Sequence, residues 1–173
     1  HAQKRVEKLE NSSILFEKMV EDIGMRSLSR EIDLENPDTV FCLPILHTFS
    51  HIIIKQICKE SGYSLGSIRE RLYLEADDKG KIIKTGILLY TTGASSDGTL
   101  GGLSSLASKG NNGIMERIIK SSLENINICS NDPICSENRP NRENSNGSAC
   151  HACVLLPETC CELGNFALDR RWY

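Results

Sequence analysis

The fold of this chain turns on two stretches near its end, CSNDPIC at residues 129–135 and SACHACVLLPETCCE at residues 148–162. Together they hold Cys129, Cys135, Cys150, Cys153, Cys160 and Cys161. Cys42 and Cys58 stand alone in apolar surroundings and read as small buried hydrophobes. Cys150-His151-Ala152-Cys153 is a C-x2-C knuckle, a spacing that lets a tight turn aim two sulfurs at one ion. Cys129 and Cys135 form a looser pair with Pro133 between them. An even spread of cysteines would suggest a secreted disulfide framework, whereas this clustering points to metal. Zinc takes four ligands in a tetrahedron, so Cys129, Cys135, Cys150 and Cys153 are the expected set. Cys161, Cys160 and His151 compete for a place in it. Four thiolates leave no position for water, which makes such a site structural. C-x-x-C is also the spacing of redox dithiols, but those normally open a helix after a strand, and here a polar loop precedes the pair.

Around this region the chain reads as one domain. Its 173 residues carry 20 Lys+Arg against 23 Asp+Glu, a net charge of -3 that does not suit a simple nucleic-acid sponge. Only 5 % of residues are aromatic, so the core is built mostly from Ile and Leu. No run approaches ~18 apolar residues, so no membrane-crossing helix is expected. The first residues, HAQKRVEKLE, have neither an initiator Met nor an apolar signal stretch, and we read the chain as a cytoplasmic fragment of a longer protein.

The expected fold class is α/β or α+β: a small sheet packed by several helices, with the cysteine-rich subregion at the C-terminus. Residues 1–39 form an N-terminal helical segment and connector, and residues 40–173 the zinc-binding domain. Val6, Leu9, Phe16, Met19, Val20 and Ile23 recur at helical spacing, either on an ordinary amphipathic helix or on one that docks elsewhere. Thr39–Leu43 reads as a short strand, and residues 46–61 as a buried helix closed by Gly62. Residues 64–74 read as a further helix. Residues 81–92 read as a strand with Ile87, Leu88, Leu89 and Tyr90 as a buried run, and 112–126 as a helix. The Asn-rich stretch 137–148 reads as a mobile loop.

Other residues suggest chemistry less strongly. His47 and His51 lie four apart on one helix and share a face, with Asp97 or Arg69 as polar partners. A metalloprotease would need Glu after the first His, where this chain has Thr48. Gly98, Gly101 and Gly102 sit in a strand-to-helix turn whose amides could receive a phosphate, or which simply packs closely. No Lys follows the last Gly, so this is not a Walker A loop.

Five segments in this order (HTFSH, GILLYTTGASSDGTLGGL, CSNDPIC, SACHACVLLPETCCE and NFALDRRW) resemble the C-terminal domain of DISARM DrmB proteins over about residues 40–173. The zinc-binding domain of MrfA-type repair helicases is a more distant likeness. The resemblance implies a zinc-binding α/β domain attached to, or partnered with, a superfamily 2 helicase. It places the turn at Gly98, Gly101 and Gly102, and the metal at Cys129, Cys135, Cys150 and Cys153. The chain departs from the pattern in its polar loop and in having Cys160 beside Cys161.

The leading expectation is therefore a non-catalytic zinc module of an anti-phage defence or helicase-associated protein. Zn2+ would be its cofactor and a helicase subunit or domain its partner. DNA would be engaged through the complex, with no membrane and no small-molecule substrate. Lys55, Arg69, Arg71, Arg139, Arg142, Arg170 and Arg171 are candidates for a phosphate path. A hydrolase or nuclease using His47, His51 and Asp97 is the enzymatic alternative, with His as general base. A pure protein-interaction module is the third.

Overall fold

The computed structural model describes residues 13–25, 32–91, 102–108 and 113–173. Helix α1 spans Ser13–Met25 and α2 spans Pro37–Ser61. Strands β1 (Ile68–Ala76) and β2 (Ile82–Thr91) follow. Then come α3 (Gly102–Ser105), α4 (Ile114–Asn125), α5 (Ile134–Glu137) and a 3-10 turn at Arg170–Trp172. The class is α+β, as expected.

Helix α2 is the axis of the fold. Asn36 caps it, its side chain accepting from the Asp38 amide, and Pro37 occupies the first turn, where a missing N–H costs nothing. The helix therefore starts early and carries Thr39–Leu43, which is helix rather than the expected strand. Pro44 lies inside it. Gly62 closes it in the left-handed conformation (φ 73°), with its amide bonded to the Cys58 carbonyl. By length and composition α2 could cross a membrane, which corrects the sequence expectation; 67 % of its apolar window is buried inside the fold.

Residues 68–76 are a strand, not the expected helix. Ile68, Glu70 and Leu72 alternate inward, and Glu70 hides the apolar alternation by being the charged member of the buried set. β1 and β2 pair antiparallel from Ile68↔Thr91 to Ala76↔Ile82. In the connecting turn Asp77 accepts from the amides of Lys79 and Lys81, and Asn36 donates to the Gly80 carbonyl at 2.6 Å. With one face turned outward, Leu88 and Tyr90 are exposed and Ile87 and Leu89 only half-buried, so β2 is an amphipathic strand and not the expected buried run. Cys42 and Cys58 are half-buried rather than fully so.

Two apolar clusters share α2. One joins Ile52, Ile54 and Ile57 to Ile68, Ile118, Val154, Leu156 and Leu168. The other joins Met19 and Ile23 of α1 to Val40, Leu43, Leu72, Cys161 and Leu163. The polar stretch 137–148 is anchored between them. Asn138 donates to the Gly147 carbonyl at 2.6 Å, and the Ser145 amide donates to Asp22 of α1. Gly147 lies so close to Asp169 and Arg171 that a Cβ there would collide with both side chains.

Ile54 is fully buried and Leu88 is 48 % exposed. Ile54→Ala should lower unfolding free energy by about 2–5 kcal/mol, and Leu88→Ala by no more than about 0.5 kcal/mol. Denaturant titration of both variants checks the inside–outside assignment.

Candidate metal centre

Three short backbone devices bring the four expected cysteines together. In the knuckle, the amides of Cys153, Val154 and Leu155 all donate to the Cys150 carbonyl, at 3.1, 2.9 and 3.0 Å. In the other pair, the Asp132 amide donates to the Cys129 carbonyl at 3.0 Å and the Cys135 amide to Asn131 at 2.9 Å. Asp132 in turn accepts from the Cys129 amide at 3.1 Å, folding the loop back on itself. The four sulfurs then lie within 4.8 Å of one another. Cys129–Cys150 is 3.4 Å, while Cys135–Cys153 and Cys150–Cys153 are each 3.6 Å. A zinc tetrahedron with ~2.3 Å bonds sets its sulfurs roughly 3.8 Å apart. A disulfide would need about 2.05 Å, and all eight cysteines are free. The donor set and its spacing fit zinc.

Two of the four sulfurs meet hydrogen-bond donors. Asn131 donates to Cys129 through its backbone amide and to Cys150 through its side chain, both at 3.4 Å. Burial pushes the Cys150 thiol up, but the Cys153 amide and the Cys129 thiol outweigh it and hold the group at about 6. Cys135 is pushed up by burial to about 11, and Cys153 is also raised by burial.

Two cations flank the cluster. Lys55 of α2 donates to the carbonyls of His151 at 2.7 Å and Leu155 at 3.2 Å. Burial lowers its pKa against the opposing pull of Cys153 and Cys150. Arg170 donates to the Ile126 carbonyl at 3.1 Å and pairs with Asp132. His151 is exposed and holds Lys55 through its carbonyl alone. Arg171 pairs with Asp169, and Arg139 donates to the carbonyls of Ser136 and Asn138.

Cys161 is not at this cluster. It lies with His47, His51 and Glu70, whose ligand atoms also fall within 4.8 Å of one another. Cys160 is buried apart from both groups, its carbonyl accepting from the Glu70 amide at 3.4 Å. Among the described residues the His pair meets Glu70 and not the expected Arg69, with both Nε2 atoms near Oε1 at 3.0 and 3.1 Å. Asp97, Gly98 and Gly101 lie outside the described residues; Gly102 opens α3. Sequence reasoning missed Glu70. The available signal was strict alternation in IRERLYL, which places Glu70 on the face of Ile68 and Leu72. Burial alone would depress the His47 imidazolium, but Cys161 and Glu70 raise it to about 10. Burial likewise pushes Cys161 up, and His47 brings it down to about 7. Glu70 is held well below the carboxylate range, its burial outweighed by His47 and His51.

The family described as MZB, the MrfA Zn-binding domain, matches residues 49–154. A DISARM protein DrmB from Bacillus paralicheniformis is 42 % identical over 137 residues, which is 79 % of this chain. The chain spans 22 % of the length of that relative.

Because Arg170 holds Asp132 and Asp132 holds the Cys129 amide, Arg170→Ala should loosen the 129–135 loop. Hydrogen exchange at the Cys129 amide should speed up, while exchange within α2 should stay near the parent's.

Proposed function

Since the chain belongs to the MrfA Zn-binding domain family, a zinc-binding family, we propose that Cys129, Cys135, Cys150 and Cys153 hold its zinc in a closed, structural site. The observation that carries this is the convergence of four sulfurs within 4.8 Å from two loops of opposite chain neighbourhoods. Bound there, zinc supplies cross-linking: it ties the 129–135 loop to the knuckle and, through Lys55, to α2. The protein's own residues supply the thiolates and the amide donors that stabilise them. With four protein ligands the site has no open position for a substrate, so the role is architectural.

By similarity to the DISARM protein DrmB, the module belongs to a cytoplasmic anti-phage defence protein. It supports assembly with a superfamily 2 helicase, and DNA is engaged through that complex. Lys55, Arg139, Arg170 and Arg171 already spend donors on carbonyls and carboxylates of the domain, which favours contact through the assembly over a phosphate path of its own. The hydrolase reading with His47, His51 and Asp97 is weaker, because both histidines are buried.

Two experiments test these statements. Cys129→Ser, Cys150→Ser and Cys153→Ser should each lose the zinc of this site, with melting lowered by chelator in the parent; retention of zinc by all three would overturn the ligand assignment. The chain alone should bind duplex DNA weakly, and binding by the helicase complex should fall steeply as salt rises. Tight, salt-sensitive binding by the chain alone would overturn the indirect role.

A further inference from the structure

We propose that His47, His51, Glu70 and Cys161 form a second metal site, a closed centre for a divalent ion of the zinc class, made of residues other than those of the four-cysteine cluster. Three separate parts of the fold deliver these residues. α2 supplies both histidines, four residues apart and therefore on one face. β1 supplies Glu70, and the segment after the knuckle supplies Cys161.

With both imidazoles neutral, hydrogen bonding alone does not account for the arrangement. His47 Nε2 lies 3.0 Å from the Cys161 sulfur and 3.0 Å from Glu70 Oε1, yet one N–H points in one direction. His51 Nδ1 lies 3.1 Å from the Val154 carbonyl, an acceptor, so Nδ1 carries the hydrogen. In neutral imidazole that leaves a lone pair on Nε2, which faces the Glu70 carboxylate at 3.1 Å. Two lone pairs facing each other repel, and a cation between them turns the same geometry into coordination. A carbonyl bonded to the outer ring nitrogen is the usual device that orients a histidine ligand. His47 Nδ1 is buried with no partner among the described residues, and its ring is held by its Nε2 contacts.

The remaining contacts suit anionic ligands. The Cys161 sulfur accepts the Asn165 amide at 3.0 Å, and the second Glu70 oxygen accepts the Ser50 hydroxyl. A thiolate and a carboxylate bring two negative charges into an interior where His47 and His51 are 0 % exposed. A divalent cation cancels that charge, which would otherwise be costly to bury. Two imidazoles, a carboxylate and a thiolate are zinc-type ligands; hard ions such as magnesium and calcium prefer all-oxygen sets. Four protein ligands and no access make the centre a staple between helix, sheet and C-terminal segment. The competing occupant is a proton, with one or both histidines as imidazolium.

Zinc content and zinc-edge X-ray absorption of the full 173-residue chain, purified without added metal, decide between them. The parent should bind one ion per cluster, with a mixed sulfur, nitrogen and oxygen shell. Glu70→Gln and His51→Gln should each halve the bound zinc and leave an all-sulfur shell. Cys150→Ser should also halve it, leaving a shell dominated by nitrogen and oxygen. An all-sulfur shell in the parent, at one ion per chain, would overturn the second site while leaving the four-cysteine assignment intact. The parent spectrum keeps the test decisive even where a variant fails to fold.

Discussion

Satisfying the backbone of the C-terminal segment is the constraint on which this structure depends. From Ile126 to Tyr173 the regular structure amounts to α5 and one 3-10 turn. Each buried amide left unpaired would cost about 1–3 kcal/mol, so side chains must stand in for a ladder. Asn165 bonds both ways to Leu156, accepting from its amide at 3.0 Å and donating to its carbonyl at 2.8 Å. Asn146 accepts from the Leu168 amide at 2.8 Å and donates to the Asn165 carbonyl at 2.7 Å. Asp169 accepts from the amides of Ser148 and Arg171, and its own amide donates to Thr48 of α2. Metal ligation extends the same solution, since apparent binding energies of structural zinc are on the order of 10–16 kcal/mol.

That solution also decides what the basic residues are for. Zinc held by the four proposed thiolates would carry a net negative charge, and Lys55 and Arg170 beside the cluster are wired into the fold. Lys55 grips the knuckle carbonyls, and Arg170, 6 % exposed, ties Asp132 to the end of the α4 segment at Ile126. A guanidinium so enclosed is worth more as a pre-aimed fork than as a surface charge. The same residues looked, in sequence, like candidates for a phosphate path. Sequence records the charge of a side chain but not which carbonyls its donors reach.

Legibility follows the range of the interactions. The cysteine cluster was readable because C-x2-C is a local geometry: a tight turn fixes two sulfurs whatever surrounds it. Gly62 as the end of α2 was readable for the same reason. Thr39–Leu43 was not, because Pro37 and Pro44 both look like breakers until Asn36 is seen to cap the helix and Pro37 to sit in its first turn. β1 was misread because Glu70 occupies a core-facing position, and a charged residue there makes sense only once His47 and His51 are known to face it. The Asn-rich stretch carries no periodicity at all; its amides bond to partners such as Asp22, 123 residues away in the chain. Cys161 looked like a competing ligand because it lies eight residues from Cys153 in sequence, yet its sulfur faces His47, His51 and Glu70.

One stripe of α2 links the two clusters. His47, His51 and Lys55 recur every four residues and so lie along the same side of the helix. The first two meet Glu70 and Cys161, and the third holds the His151 and Leu155 carbonyls on either side of Cys153. Between them, His51 bonds the carbonyl of Val154, the residue directly after Cys153. The knuckle therefore sets the tautomer of His51, and His51 in turn fixes where the knuckle lies against the helix. Neither cluster can shift without disturbing a bond to the other, because the Val154 side chain is itself fully buried in the core between them. Coupling of this kind explains how a short, mostly irregular segment reaches one geometry: the helix offers a rigid row of donors and acceptors, and the loops have one register in which every buried partner is met.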